Sequence, residues 1–417
     1  MSQTPKHKGD KVISIGKRPI EVADILREYI AAYQSTYPLY PDQYRIVSDL
    51  INCRTPYLGG HIERCDSCGA ERITYNSCRN RHCPTCQHIP RERWLEARKA
   101  ELLPVIYFHT VFTLPHELNP LIFNNKKIML DILFKAASET LLSFGKNPDN
   151  GLGGKLGFIA MAHTWDQLLN CHYHLHCLIP GGALSEDWSS WIPCKNHYLF
   201  NIEALSLVFR GKYIHYMTQA YRNGELHFSG ISAPYQTPEG FQRLKDILYG
   251  KPWVVNVQKP IKHPEGVLAY FGRYTHRVAI SNHRIVSLKD GMVTFTHKNR
   301  TTNQIKQSTI SAVEFIRRFL LHTLPKGFVK IRHFGFLANR DKAEKIEKVR
   351  RLFGLPSERG NLASKSVEEM MHTLTGIDIT RCPCCKKGKM IVVGEIPLHT
   401  GICPNDIIRP PDLRKTA

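Results

Sequence analysis

Apolar positions along this chain change period several times, and each change marks an expected element. From Val22 to Cys53 they recur at helical spacing, broken at the proline-containing "YPLYPDQY". "IPRERWLEARKAELL" (89–103) has one apolar stripe and three charged faces, the pattern of an amphipathic helix. The central region, about 104 to 335, alternates short apolar runs with turn residues. "VIYFHTVFTL" (105–114), "KLGFIAMAHTW" (155–165), "YHLHCLI" (173–179) and "GMVTFTHK" (291–298) are expected as strands. Helices are expected at "LIFNNKKIMLDILFKAASETLLSF" (121–144) and at "PEGVLAYFGRYTHRVAI" (264–280), where Pro264 sits near the first turn. "RDKAEKIEKVRRLFG" (340–354) is a further, highly charged helix. The order predicts an α+β fold around an antiparallel sheet. The first 20 residues are polar and basic and are expected to be disordered.

Charge changes the picture most. The 417 residues carry 57 Lys and Arg against 36 Asp and Glu, a formal +21. Such an excess concentrates polyanions and supplies phosphate contacts, so nucleic acid is the expected partner. Between Arg317 and Arg351 alone, eleven Lys/Arg stand against three acidic residues, either a DNA track or, over the charged helix, a solvated face. No apolar run approaches the ~18 residues that span a bilayer. The opening "MSQTPKHKGDKV" lacks the apolar core of a signal peptide. A cytoplasmic protein with no membrane partner is expected.

Thirteen cysteines are unevenly spread, and CxxC spacing in such a chain points to zinc before disulfides. "HIERCDSCGAERITYNSCRNRHCPTCQ" holds two pairs, Cys65/Cys68 and Cys83/Cys86, with fourteen residues between them. The intervening loop lets the pairs converge on one closed tetrahedral site. Cys78 replaces a member of either pair, helps build a second ion site, or is a small buried thiol; His61 and His82 are spare ligands. Arginines rim the module, and Arg79 and Arg81 are candidate DNA contacts. In the tail, "RCPCCKKGKM" supplies Cys382 and Cys385, which with His399 and Cys403 form a candidate second zinc site or are spare thiols. Cys53, Cys171, Cys177 and Cys194 read as core or incidental thiols.

"CHYHLHCLIPGG" (171–182) places His174 and His176 on one face of a strand, while Leu175 and Cys177 point to the other. If the preceding run pairs with it as a hairpin, His163 reaches the same face, and three neutral imidazoles could hold a divalent cation. Gln167 competes as third ligand. The bland alternative is a polar strand face. In "AYFGRYTHR", Tyr270 and Tyr274 are four apart on the expected helix and share a face. Gly272 between them costs about 1 kcal/mol of helix propensity, which suggests close packing. Arg273 and Arg277 bring positive charge. The two phenols are either an aromatic core stripe or nucleophiles, since a phenolate beside a cation can attack a phosphodiester.

At these residues the chain resembles the IS91 family of transposases, within the HUH endonuclease superfamily. "LGGHIERC", "YNSCRNRHCPTCQ", "WLEARKAELLPVIYFHTVFTLPHELN", "HYHLHCLIPGG", "YFGRYTHRVAISN" and "LPKGFVKIRHFGFLANR" carry the resemblance, in order, over most of the chain. It implies an HUH-type central antiparallel sheet flanked by helices, preceded by a helical and zinc-binding module and followed by a short basic, Cys-containing tail. The implied division is a disordered 1–20, a DNA-binding zinc module at 21–100, a catalytic domain at 101–345, and a basic helix with the candidate second zinc site at 346–417. His174 and His176 would be the paired metal ligands, Tyr270 and Tyr274 the paired catalytic tyrosines, and Mg²⁺ or Mn²⁺ the catalytic ion beside structural Zn²⁺. The implied reaction nicks single-stranded DNA at element ends and in the target, through 5′-phosphotyrosine, in a rolling-circle-like scheme. A non-catalytic zinc-ribbon DNA-binding protein is the alternative from the residues alone. A metal hydrolase of small substrates would leave the tyrosine pair and the charge unexplained.

Overall fold

The computed structural model describes residues 19–399 apart from Ala100, Gly151, Phe271 and residues 196–197, 263–265, 268–269, 273–277, 300–301 and 356–365. The stretch expected to be disordered lies, except for its last two residues, outside the described residues. Two helices open the chain, α1 (Val22–Gln34) and α2 (Pro41–Ile51). Pro41 occupies the first turn of α2, where its missing N–H costs nothing. A hairpin follows, β1 (Gly60–Cys65) and β2 (Glu71–Tyr75), then the helix expected at 89–103, as α3 (His88–Lys99), none of whose residues is buried.

The central sheet has five antiparallel strands. Its members are β3 (Tyr107–Thr113), β4 (Gly157–Trp165), β5 (Cys171–Pro180), β8 (Val254–Val257) and β12 (Ile331–Gly335), in the order β12-β4-β5-β3-β8. Between β3 and β4 run α4 (Asn119–Asn124) and α5 (Lys126–Lys146); after β5 come the small hairpin β6 (Gly182–Leu184) and β7 (Trp191–Pro193), then α6 (Ile202–Arg222) and α7 (Pro238–Tyr249). The apolar pattern predicts no helix at the positions of α6 or α7.

Alternation decides the two faces of this sheet. Phe108 and Phe112 of β3, Phe158, Ala160 and Ala162 of β4, and Leu175, Cys177 and Ile179 of β5 form one buried core with α5 and α6. Each large side chain buried there contributes roughly 1.5–3 kcal/mol. The residues between them point to the opposite face. At one end of that face Tyr107, Ile159 and Leu178 are covered by Ile346 and Val349 of the charged helix, α9 (Lys342–Leu352). At the other end the inward positions are histidines. Gly335 ends β12 with φ +61°, and a Cβ there would meet the Leu156 carbonyl oxygen at 1.7 Å, so only glycine fits.

A second core forms beyond the end of β4, whose Trp165 joins it. The strand expected at 291–298 is β10 (Met292–Lys298), the middle of a separate sheet with β9 (Ile285–Lys289) and β11 (Ile305–Ser311). With α8 (Ala312–Leu321) it packs against α1 and α2 through Phe295, Phe315, Ile316, Ile25 and Val47. Buried Gln43 of α2 donates to the Leu320 carbonyl across this junction at 3.1 Å. Two further elements, α10 (Val367–Thr375) and β13 (Met390–Ile396), end the described chain, and β13 pairs with β1. Among the described residues no helix is long and apolar enough to cross a membrane.

Candidate metal centre and nucleophile

The turn between β4 and β5 sets the register of the histidine strand. The carboxylate of Asp166 accepts the backbone N–H groups of Leu168 and Asn170, both at 2.8 Å. Arg284, Arg318 and His322 then donate to the carbonyls of Gln167, Leu168 and Leu169. A turn held at four successive residues leaves little room for a register slip, which would flip every side chain to the other face. In this register His163 stands directly opposite His174, and Met161 opposite His176.

His163, His174 and His176 are all buried, and their ligand atoms lie within 4.8 Å of one another. Gln167, the competing third ligand, sits in the turn. His174 Nδ1 lies 2.7 Å from the His172 carbonyl. A carbonyl can only accept, so this nitrogen carries the proton and Nε2 holds the lone pair a metal would use. Trp165 stacks on His163 with ring centroids 4.7 Å apart, and the Lys330 ammonium lies 4.9 Å from the Trp165 ring.

A fourth imidazole completes the group, and the sequence reading gave it no role. His109 of β3 shares the face of Val111 and Thr113, and its Nε2 lies 2.7 Å from His176 Nδ1. Its Nδ1 lies 2.8 Å from the Tyr270 hydroxyl, which also donates to the Gln258 side-chain carbonyl. His109 stands in a run that could only be read as core until the strand order put β3 beside β5. Burial lowers the His109 pKa to about 4, against the smaller raising effect of a hydrogen bond with Gln258. Burial, then the neighbouring His163 and His174, pulls His176 well below the ordinary range. Both rings are therefore neutral near pH 7, the form that ligates metals.

Of the helix expected at 264–280, Gly266, Val267 and Tyr270 are helical. Tyr274, Arg273 and Arg277 lie outside the described residues. Tyr270 is thus the one expected nucleophile whose hydroxyl can be placed, and it is one imidazole away from the histidine group.

The cysteines group differently from expectation. Cys65 and Cys68 do not meet Cys83 and Cys86. One group is Cys53, Cys78, Cys83 and Cys86; the other is Cys65, Cys68, Cys382 and Cys385. The reason is the β1–β2 hairpin. Cys65 lies at its turn end, whereas Tyr75 pairs with Gly60 at the far end and leads into Cys78. Strands of this length hold the two ends roughly 15–20 Å apart. Residues 78–86 close instead on Cys53, just past α2, a thiol expected to be plain core. In this group the Cys78–Cys86 and Cys83–Cys53 sulfurs are 3.7 Å apart. A tetrahedron with Zn–S bonds of about 2.3 Å has edges of about 3.8 Å, and a disulfide would need about 2.05 Å.

His399 does not join Cys382 and Cys385: its backbone N–H donates to the Tyr57 carbonyl and its ring lies 5.7 Å from that of Tyr57. Cys403 lies outside the described residues. Arg79 and Arg81 are both exposed, and the Arg81 guanidinium donates to the Phe328 carbonyl at 2.7 Å. Much of the basic 317–351 stretch is engaged in ion pairs, Arg317 and Arg318 with Glu314, Lys342 with Glu101 and Lys348 with Glu344.

Two family models match the chain: "Transposase zinc-binding domain" over residues 25–114 and "Putative transposase" over residues 157–345. The first contains the whole Cys53 group and the second the three clustered histidines and Tyr270. A curated relative described as "Putative transposase y4qJ", from Sinorhizobium fredii, is 44% identical over 377 residues, covering 89% of this chain and 94% of its own. "Transposase for insertion sequence element IS801", from Pseudomonas savastanoi pv. phaseolicola, is 28% identical over 347 residues, 81% of this chain and 80% of its own. No solved structure matches. With the zinc-binding and transposase regions in this order and such identity along nearly the full length of a relative, the chain belongs to the IS91 family of insertion-sequence transposases with an N-terminal zinc-binding domain.

Proposed function

We propose that this transposase is an HUH-type endonuclease and strand transferase that nicks single-stranded DNA at element ends with Tyr270. The observation that carries the reading is the continuous hydrogen-bonded line from His176 through His109 to the Tyr270 hydroxyl. Three imidazoles, neutral when they ligate, fit a divalent cation, and of Mg²⁺ and Mn²⁺ they suit Mn²⁺ better, because Mg²⁺ prefers an all-oxygen shell. When bound, that ion would polarise the scissile phosphate and ease departure of the 3′ oxygen.

Proton positions along the line follow from the ligand role. If His176 ligates through Nε2, its Nδ1 carries the proton and donates to His109 Nε2. His109 must then carry its own proton on Nδ1, which donates to the Tyr270 oxygen. The phenol proton points to Gln258. In this arrangement His109 stabilises the phenolate, lowering the barrier set by a phenol pKa of about 10. The Tyr270 oxygen bonds to phosphorus as its own proton passes to solvent, the P–O3′ bond breaks, and the 3′ oxygen leaves as a hydroxyl after taking a proton from solvent. Tyr274 would take the second strand end, so two strands are held and exchanged in a rolling-circle-like scheme. Arg273, Arg277, Arg79 and Arg81 would contact the DNA backbone, and the protein would act at the bacterial nucleoid.

End-labelled single-stranded DNA carrying an element terminus, incubated with the protein and Mn²⁺ and run on denaturing gels, tests this. A covalent adduct is expected that Tyr270→Phe abolishes or reduces at least a hundredfold, and mass spectrometry should find the nucleotide on the phenol. Retarded DNA with no cleavage would sink the reading and favour a zinc-ribbon DNA-binding protein.

A further inference from the structure

We infer that Cys65, Cys68, Cys382 and Cys385 hold a zinc ion of their own, and that this ion makes residues 378–396 a structural part of the N-terminal zinc module. The matched zinc-binding domain ends at residue 114, so half of these ligands lie far outside it. Cys65 and Cys385 sulfurs are 3.7 Å apart, as are those of Cys68 and Cys382, though more than 300 positions separate each pair in sequence. That is the edge length of a zinc tetrathiolate.

The two halves of the site are built alike. In each, backbone N–H groups point at sulfur: Ser67 and Cys68 at Cys65, Cys384 at Cys382, and Gly388 at Cys385, all at 3.4 Å. Such donors favour the thiolate form that binds metal. In each, the residue after the second cysteine takes a left-handed conformation, Gly69 at φ +72° and Lys386 at φ +58°. The halves are also tied directly. The Asp66 and Lys389 backbones are joined at 3.0 Å, and the Asp66 carboxylate accepts the Lys389 N–H at 2.9 Å. A Cβ on Gly388 would meet Cys65 Sγ at 2.5 Å, so the approach requires glycine.

Packing supplies the need for an ion. The β13-β1-β2 sheet contributes no residue to any of the three apolar cores formed by the described residues. Ile391, Val392 and Val393 of β13 are exposed. A three-stranded sheet with no apolar core is marginal by itself, and small modules of this kind take their folding free energy from a metal. Four sulfurs in a tetrahedral set, supplied by two CxxC pairs that converge from distant turns, match the ligand set of a structural zinc site.

Zinc per chain, measured by inductively coupled plasma mass spectrometry on the full-length reduced protein, tests the site. Cys382→Ser/Cys385→Ser should lose one zinc relative to the parent. Cys65→Ser/Cys68→Ser should lose one as well, and the fourfold variant still only one, because both pairs serve the same ion. No loss from the Cys382/Cys385 variant, or loss of two ions from the fourfold one, overturns the inference. Should the variants fold poorly, alkylation of the unaltered protein with iodoacetamide decides the matter. Exposed Cys384 should label at once, whereas Cys65, Cys68, Cys382 and Cys385 should be protected together and become reactive together as a chelator is titrated. Prompt labelling of Cys382 and Cys385 while Cys65 and Cys68 stay protected would end it. Neither readout depends on nicking activity.

Discussion

His109 is the residue on which the proposed chemistry turns, because it touches both His176 and Tyr270. As a positioning residue for the nucleophile, it has a testable signature. His109→Ala should slow adduct formation roughly 10- to 100-fold while leaving Mn²⁺ affinity, read by calorimetry, within a fewfold. The pH–rate profile should move to higher pH, since the phenol loses a donor to its oxygen. A purely structural role would lower stability without moving the profile. His322 makes a second residue-scale prediction. It is buried between the Thr164 hydroxyl and the Leu169 carbonyl, and burial lowers its pKa to about 4. The unfolded chain takes up this proton near pH 6.5, so the stabilisation is complete above pH 6.5 and is lost as pH falls towards 4. Unfolding free energy should therefore drop between pH 7.5 and pH 5, and His322→Gln should shrink that drop by about 2 kcal/mol. An unchanged difference between the two pH values in denaturant titrations would show that this ring is not responsible.

At the scale of elements, the β4–β5 hairpin is the device that makes a site from a pattern. Asp166 supplies the turn's internal acceptors, so Asp166→Ala should cost about 1–2 kcal/mol. It should also weaken Mn²⁺ binding, because His163 and His174 face each other only in this register. Thermal melts with and without Mn²⁺ would show both effects; loss of stability with metal affinity intact would mean that the flanking strands fix the register without the turn. The apolar runs at 105–114, 155–165 and 173–179 were legible as strands because they are short, β-rich and bounded by turn residues. The helix α7 carries a readable stripe, Phe241, Leu244 and Leu248 behind a Thr237 cap and Pro238, whereas α6 carries a mixed surface. It buries Leu205, Phe209, Tyr213 and Met217, yet leaves Ile202 and Leu207 exposed. The mixture blurs the stripe by which an amphipathic helix is recognised.

For the whole molecule, the formal +21 predicts DNA affinity that falls steeply with salt. The slope of log affinity against log salt should lessen by about 0.7 for each lost phosphate contact on single strands. Arg79→Ala should produce such a change. Arg81→Ala should produce less, and should lower stability, because its guanidinium already serves the Phe328 carbonyl. Equal slopes for the two variants, measured by fluorescence anisotropy, would contradict this division.

The sequence by itself determined the zinc chemistry, the strand carrying His174 and His176, the α+β class and the resemblance that the family matches uphold. The first two depend on spacing within some thirty residues and the last two on the order of short motifs along the chain, all of which one sequence displays directly. Only the tertiary structure decided which cysteines share a site, that His109 joins the imidazole group, and that α1 and α2 share a core with β10 and α8. Those facts depend on strand order and on the length of a hairpin that holds two CxxC pairs apart. Contacts between residues hundreds of positions apart leave no periodic mark on the sequence, because each partner satisfies its own local pattern equally well with or without the other.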